Sequence, residues 1–282
     1  MSSSITVLLQ SAAMQLAPTS ETPELDAEVL LCFCLQKQRS YLRAWPDNCP
    51  AQADVECFFD LIERRRQGLP VAYLTQTKEF WSREFLVTDA VLIPRPDTEL
   101  LVELALERLP KQPPGKLLDL GTGSGIIALS LAAERPESVV LAVDMSPKAL
   151  AIAKQNASRL GVENARFLES DWFENIVDYG FDIVVSNPPY IAAGDPHLRL
   201  GDLRFEPQSA LIGGVDGLRD IRTIAEQAGQ RLKPGGHLLV EHGYDQAEAV
   251  RQLFQHYGYR NIRNHADLAG NPRVTSGIRS FT

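Results

Sequence analysis

Ser186-Asn187-Pro188-Pro189-Tyr190 is the stretch of this 282-residue chain that gathers most chemistry into least sequence. It follows Phe181-Asp182-Ile183-Val184-Val185, an apolar run that reads as a buried β-strand. Two consecutive prolines cannot donate to a sheet ladder, so the strand must stop there. Asn187 precedes a proline and is therefore held extended, at the end of the strand. Its side-chain oxygen and the Pro188 carbonyl are hydrogen-bond acceptors, and neither is a base. Two acceptors side by side suit an –NH₂ group: they satisfy both N–H bonds and leave the nitrogen lone pair free to face an electrophile. Tyr190 would pack flat against a planar amide or base. The bland reading is a Pro-Pro turn closing a strand, and on these residues alone it is the favoured one; the rest of the chain must decide.

A second group lies upstream. Leu117-Leu118-Asp119-Leu120 runs into Gly121-Thr122-Gly123-Ser124-Gly125 and then into a helical pattern. Glycines let backbone approach a ligand closely and adopt positive φ. Position 126 is Ile, so the loop is G-x-G-x-G and lacks the third glycine of a dinucleotide fingerprint. Asp144 ends the next strand, where a carboxylate can accept both hydroxyls of a ribose; its other reading is the approach to the helix after Met145-Ser146-Pro147. Ser170-Asp171-Trp172-Phe173 follows the third strand, where the acid and the indole can bracket a planar heterocycle by hydrogen bond and stacking. Trp172 alone reads better as a core residue, but its place on the same edge as Gly121 and Asp144 favours adenine.

The elements that must position these residues alternate. Lys116–Leu120, Val139–Val143, Ala165–Leu168, Phe181–Val185 and His237–Glu241 read as strands, and 124–134, 146–160, 217–232 and 245–257 carry helical periodicity. That is the sequence form of an α/β fold, a parallel sheet with helices on both faces, whose ligands bind at the carboxyl ends of the strands. Arg260–Ala266 and Val274–Phe281 have no helix between them and should form an antiparallel pair at the end of the sheet. Residues 1 to about 75 read as helices, with Thr22-Pro23-Glu24 as a helix start. Residues 78–95 change to a strand-like period, a β-hairpin, after which Asp97 is placed to cap a helix carrying Leu100, Leu101, Leu104 and Leu109.

Composition sets outer limits. No apolar run approaches the ~20 residues that span a bilayer, and the N-terminus lacks the basic start and apolar core of a signal peptide, so a cytoplasmic protein is expected. A formal net charge of −8 argues against sequence-independent gripping of nucleic acid. Arg64-Arg65-Arg66 is expected to be a solvated helix face. Cys32, Cys34, Cys49 and Cys57 match no zinc pattern and should stay reduced, and the five histidines show no ligand spacing, so no metal is expected.

Together these residues resemble the S-adenosylmethionine-dependent methyltransferases with a Rossmann-like fold. Asp119–Gly125 resembles their cofactor loop and Asp144 their ribose acid. Asn187-Pro188-Pro189-Tyr190 is similar to the tetrapeptide of members that methylate planar nitrogens, on nucleic-acid bases or on glutamine amides. The wider chain resembles the release factor glutamine methyltransferase family (HemK/PrmC). The likeness runs through Asp26–Leu31, Arg65-Arg66, Pro70–Leu74, Glu79–Trp81, Leu92–Glu99, Glu206-Pro207, Gly213–Leu218 and Asp267–Asn271. Leu69 and Pro272 stand where acids are common, and Gln76 where a glycine is common.

That resemblance implies a mostly parallel seven-stranded sheet with an antiparallel C-terminal strand. It implies a helical substrate-docking domain (1–75), a hairpin linker (76–96) and a methyltransferase domain (97–282). The implied cofactor is S-adenosylmethionine, with S-adenosylhomocysteine as product. Gly121, Thr122, Gly123, Ser124, Gly125, Asp144, Trp172 and Asn187 would hold it. Asn187 and Pro188 would be catalytic, and Pro189 and Tyr190 would join them against the substrate. The implied partners are class I peptide chain release factors, bound by a monomer that does not itself hold nucleic acid or membrane. Three other readings stand beside this one. A nucleic-acid N-methyltransferase lacks a target-recognition domain here, a nicotinamide oxidoreductase lacks its third glycine, and a non-catalytic cofactor-binding module would not need Asn187.

Overall fold

In the computed structural model, which describes residues 3–280, Ser4 caps the first helix, α1 (Ile5–Leu16), its Oγ accepting the Val7 N–H. α2 (Pro23–Leu35) starts at Thr22 with proline in its first turn, as expected, but the Thr22 hydroxyl bonds Asp26 Oδ1 at 3.2 Å rather than the backbone. α3 (Arg39–Ala44), α4 (Gln52–Arg66) and α5 (Val71–Thr75) follow. These helices enclose Ile5, Leu8, Leu16, Leu30, Leu31, Phe58 and Ile62, each essentially inaccessible to water. Burial of that kind stabilises by roughly 1.5–3 kcal/mol per large side chain.

The arginine triplet departs from expectation at one position. Arg65 is not solvated: its Nε donates to Asp26 Oδ2 at 2.7 Å, and its Nη1 to Asp202 Oδ1 at 3.0 Å and to the Leu69 carbonyl. Asp26 itself is buried and also accepts from Ser20. An unpaired carboxylate in that position would be costly, so Arg65 serves the core while Arg64 and Arg66 face outward. Gln76, ending α5, sits at φ +55°, the conformation for which glycine is the usual choice. The compact unit built on these helices runs to Thr77 and takes in Arg199–Phe205; the remainder forms a second unit.

The hairpin of β1 (Thr77–Phe80) and β2 (Arg83–Leu86) turns through Trp81 and Ser82, both at positive φ, which suits the twist of a two-residue connection. It is shorter than the 78–95 expected. Val87, Val91 and Ile93 are buried, yet the Ile93 N–H is taken by Glu206 Oε2 at 3.0 Å instead of a strand partner. Alternating burial cannot tell that arrangement from a strand. Asp97 does not cap α6 (Glu99–Arg108); it pairs with Arg273 at 3.0 Å, and Thr98 occupies the cap position.

Beyond α6 the alternation is as expected: β3 (Lys116–Leu120), α7 (Ile126–Glu134), β4 (Val139–Asp144), α8 (Pro147–Leu160), β5 (Ala165–Glu169) and β6 (Phe181–Ser186). Then come α9 (Arg219–Arg231), β7 (Leu232–Glu241), α10 (Ala247–His256), β8 (Arg260–Ala266) and β9 (Pro272–Ile278). Phe281, included in the expected last strand, lies outside the described residues. The seven strands lie in the order β5-β4-β3-β6-β7-β9-β8, with β9 antiparallel to both of its neighbours. Successive residues of the central strands face opposite cores. Leu117, Ile183 and Val185 meet α6 and α7, whereas Leu118, Val184 and Val240 meet α9 and α10. Burial on both faces is why these strands read as continuous apolar runs. β3 has β4 on one side and β6 on the other, so the strand order reverses there and a crevice opens at the carboxyl ends.

Candidate active site

The loop after β3 is shaped by Asp119. This carboxyl is fully buried; its Oδ2 accepts from Thr122 Oγ1 at 2.6 Å and from the Ala128 N–H at 3.1 Å, folding Gly121–Gly125 over the start of α7. Burial pushes its pKa up to about 7, against the pull of those two hydrogen bonds, and Asp144 adds to the rise. Among the described residues, Asp119 Oδ1 has no hydrogen-bond partner. Gly123 sits at φ +56° with nothing within 4 Å of where a Cβ would be, so the backbone lies open to a ligand. Gly125, the N-cap of α7, is needed for packing instead, because a Cβ there would press on Leu129 at 2.9 Å.

Asp144, at the end of β4, accepts the Gly123 N–H on Oδ2 and the Ser146 N–H on Oδ1, both at 2.9 Å. Burial raises its pKa while those two N–H groups lower it. The carboxylate is thus aimed by the backbone, with lone pairs left on both oxygens. Trp172 follows β5 at φ +44°, a strained position fixed by Ser170. Ser170 Oγ donates to the Trp172 carbonyl and accepts the Asn175 N–H, each at 3.0 Å. The Trp172 ring lies 3.5 Å from where a Gly121 Cβ would be, so it covers the loop.

The other side of the crevice ends β6. Both proline bonds after Asn187 are trans, and Asn187 Nδ2 donates to Thr98 Oγ1 at 3.2 Å. Thr98 is fully buried beside Glu241, the last residue of β7. The Thr98 and Tyr190 hydroxyls face the Glu241 carboxyl and hold its pKa down, but burial dominates and pushes it up to about 7. Burial also raises the pKa of the Tyr190 phenol, as does the nearby Glu241 charge. Behind the prolines, Gly217 at φ +73° lets the backbone pass so close that a Cβ would fall 2.2 Å from the Tyr190 carbonyl oxygen. Glu206, fully buried at its side chain, ion-pairs Arg95 and accepts the Ile93 N–H, joining two stretches more than a hundred residues apart in sequence.

These parts meet around one cavity of about 340 Å³, a size suited to a small-molecule site. Gly121, Thr122, Gly123, Ser124, Asp144, Trp172, Asn187 and Pro189 line it; Gly125, Pro188 and Tyr190 are not among the lining residues. Sequence reasoning did not find Thr98, Glu206 or Glu241, nor Asp89–Leu92 on the wall, and it named Ser170 without a role. Thr98 and Glu206 lay inside stretches of family resemblance without any chemistry of their own to mark them. The open Gly123 backbone, the aimed Asp144 carboxylate and the indole beside it fit a nucleoside with a charged tail. Among the described residues, no group of three His, Cys, Asp or Glu side chains is arranged to hold a metal ion, and no helix is long and apolar enough to cross a membrane.

Residues 97–203 match the family model of the methyltransferase small domain, and residues 7–75 that of the PrmC N-terminal domain. A methyltransferase from Pyrococcus furiosus superposes with a TM-score of 0.55 at 17% identity, over 72% of this chain and 92% of its own. The fold is that of a Rossmann-like methyltransferase, and together with the family model and the sequence relatives it places the chain in the S-adenosylmethionine-dependent class. The release factor glutamine methyltransferase of Shewanella oneidensis is 48% identical over 275 residues, 98% of this chain and 96% of that protein. That of Vibrio cholerae is 49% identical over 279 residues, 98% of this chain and 97% of that protein. The chain belongs to the release factor glutamine methyltransferase family.

Proposed function

We propose that the protein methylates the side-chain amide nitrogen (N5) of the glutamine in the Gly-Gly-Gln motif of class I peptide chain release factors. S-adenosylmethionine is the donor and S-adenosylhomocysteine the product. The observation that carries this reading is the Asn187 amide: its Nδ2 is tied to Thr98, so its oxygen is left for an incoming –NH₂ at the cavity wall. The names of the relatives support the choice of acceptor.

The bound cofactor supplies an electrophilic methyl on a sulfonium. Gly121–Ser124 would approach its amino-acid part, Asp144 would accept the ribose hydroxyls, Trp172 would stack on the adenine and Asn187 would touch the methionine part. On the acceptor side, Asn187 Oδ1 and the Pro188 carbonyl take the two N–H bonds of the glutamine amide, with Pro189 and Tyr190 packed beside it. An amide nitrogen is a poor nucleophile because its lone pair is delocalised into the carbonyl. Two acceptors on its hydrogens push electron density back towards nitrogen and align it for in-line attack. With the donor bound, its methyl would pass from sulfur to the amide nitrogen held by Asn187 and Pro188, and the methylated nitrogen, made acidic, would lose its proton to solvent.

Residues 1–75 serve as the docking domain for the release factor, 76–96 as the linker and 97–282 as the catalytic domain. The protein works as a cytoplasmic monomer without binding nucleic acid directly, a reading the net charge of −8 supports. The test is transfer from labelled S-adenosylmethionine to a purified class I release factor, beside a factor with the motif Gln changed to Ala and a duplex DNA. Label on the unaltered factor alone is expected. Label on the DNA, or equal label on the Ala factor, would overturn the assignment.

A further inference from the structure

Asn187 poses a problem of direction. The two ends of its amide have nearly the same shape and opposite hydrogen-bonding sense, and only the oxygen can accept from a substrate –NH₂. Turned over, the side chain would set donors against donors. The bond from Nδ2 to Thr98 Oγ1 at 3.2 Å selects the useful orientation, but a hydroxyl can donate as readily as accept, so Thr98 alone carries no polarity. Polarity must come from beyond it. Thr98 is fully buried, and the group it faces is the Glu241 carboxyl, which as an anion only accepts.

Glu241 itself needs an explanation. It is 1% exposed, at the end of a central strand, and among the described residues its Oε2 has no hydrogen-bond partner. A buried carboxyl in that state is costly. The charged and titratable groups facing it are Asp97, Arg273 and the Tyr190 phenol. Arg273 is itself shared between Asp97 at 3.0 Å and Asp267 at 3.1 Å, so among the described residues Glu241 has no cation of its own.

We infer that Glu241 and Thr98 are positioning residues for Asn187: the Glu241 carboxylate draws the Thr98 proton to itself, and the Thr98 lone pair then holds Nδ2 and turns the Asn187 oxygen to the acceptor. The inference rests on the proposed role of Asn187 and adds the device that orients it. Three side chains from separate parts of the chain form a one-way relay ending at the cavity wall. The relay works only while Glu241 is ionised; once protonated it can donate to Thr98, and the sense of the chain is lost. Burial sets that ionisation near neutrality, at about pH 7, so turnover falls as the pH drops through this range.

The test uses the full-length protein with Thr98→Val, Thr98→Ser and Glu241→Gln. Single-turnover methyl transfer to a release factor, cofactor affinity by calorimetry and the pH profile are measured on each. Exchange of the Asn187 side-chain amide hydrogens is followed by NMR in the free enzyme. Thr98→Val and Glu241→Gln are expected to slow transfer by roughly 10- to 100-fold with cofactor Kd changed less than about threefold, the signature of a lost transition-state interaction. Thr98→Ser, which keeps the hydroxyl, recovers most of the rate. The wild-type rate falls on the acid side, and that limb is absent from Glu241→Gln. In Thr98→Val the Asn187 amide hydrogens exchange at least about tenfold faster, as expected for a lost buried bond. Wild-type turnover in Thr98→Val, unchanged amide exchange, or an intact acid limb in Glu241→Gln would each overturn the inference. If the wild-type protein methylates no release factor, the proposed function fails, and the amide exchange alone then decides the relay.

Discussion

The two sides of the cavity are built in different ways. On the proposed cofactor side each functional group follows its own strand and is fixed mostly by close neighbours in sequence: Thr122 on Asp119, Ser146 on Asp144, Ser170 on Trp172, with Gly123 reaching Asp144 from the adjacent strand end. On the acceptor side the fixing groups come from far away. Thr98 holds Asn187 across 89 residues, Gln246 donates to the Tyr190 carbonyl, and Glu206 ties Arg95 and Ile93. The first side is a property of three strand ends; the second exists only once the whole sheet has assembled. The cofactor side can therefore be weakened one contact at a time. The acceptor side should respond as a network, with effects on rate rather than on cofactor affinity.

The largest effect on the cofactor side is expected at Gly123. Gly123→Val would force a β-branched residue to φ +56° and send its side chain into the open cavity. Calorimetry should show cofactor affinity reduced by at least about 100-fold, the sum of strain and occlusion. A smaller change would mean that the ligand does not approach this backbone. Asp144→Ala comes next. Losing charge-assisted bonds of about 1.5–3 kcal/mol should raise cofactor Kd by roughly 10- to 100-fold, with the single-turnover rate at saturating cofactor changed far less. A rate that collapses at saturation would erase the distinction between the two sides.

The smallest effect concerns stability. Asp119 titrates near pH 7 in the folded protein, against an ordinary value of 3.8. Between those values the folded state holds a proton that the unfolded chain has released. Stability therefore declines as pH rises from about 4 to 7 and is lowest above that window. Glu241 contributes a slope of the same sign. Asp119→Asn should flatten part of the decline in Tm between about pH 5 and 7, a shift of a few degrees. An unchanged slope would show that Asp119 ionises normally in the fold.

The same contrast explains what could be read from the sequence. The placement of Gly121–Ser124, Asp144 and Trp172 around one cavity was legible because strand and turn are contiguous and the strand alternation fixes the edge they share. Asn187 was legible because two prolines mark the strand end. Thr98 and Glu241 were not: a threonine after a helix-initiating Pro-Asp and a glutamate ending a strand have bland local readings, and only register brings them together. Arg65 looked like one of three exposed arginines because helical position alone does not show Asp26 and Asp202 converging on it. Asp97 looked like a cap because Arg273 lies 176 positions later in the chain. The hairpin was overdrawn because buried irregular backbone, when a distant carboxylate satisfies it, keeps an apolar pattern.

The measurement that tests the central claim most directly is a paired one on Asn187→Ala: cofactor affinity by calorimetry and single-turnover methyl transfer to a class I release factor. The account predicts a rate lowered by about 100- to 1,000-fold, as for removal of one preorganised hydrogen-bonding group, with Kd within several-fold of wild type. Cofactor binding lost as completely as turnover would contradict it, and would move Asn187 from the acceptor side of the cavity to the donor side.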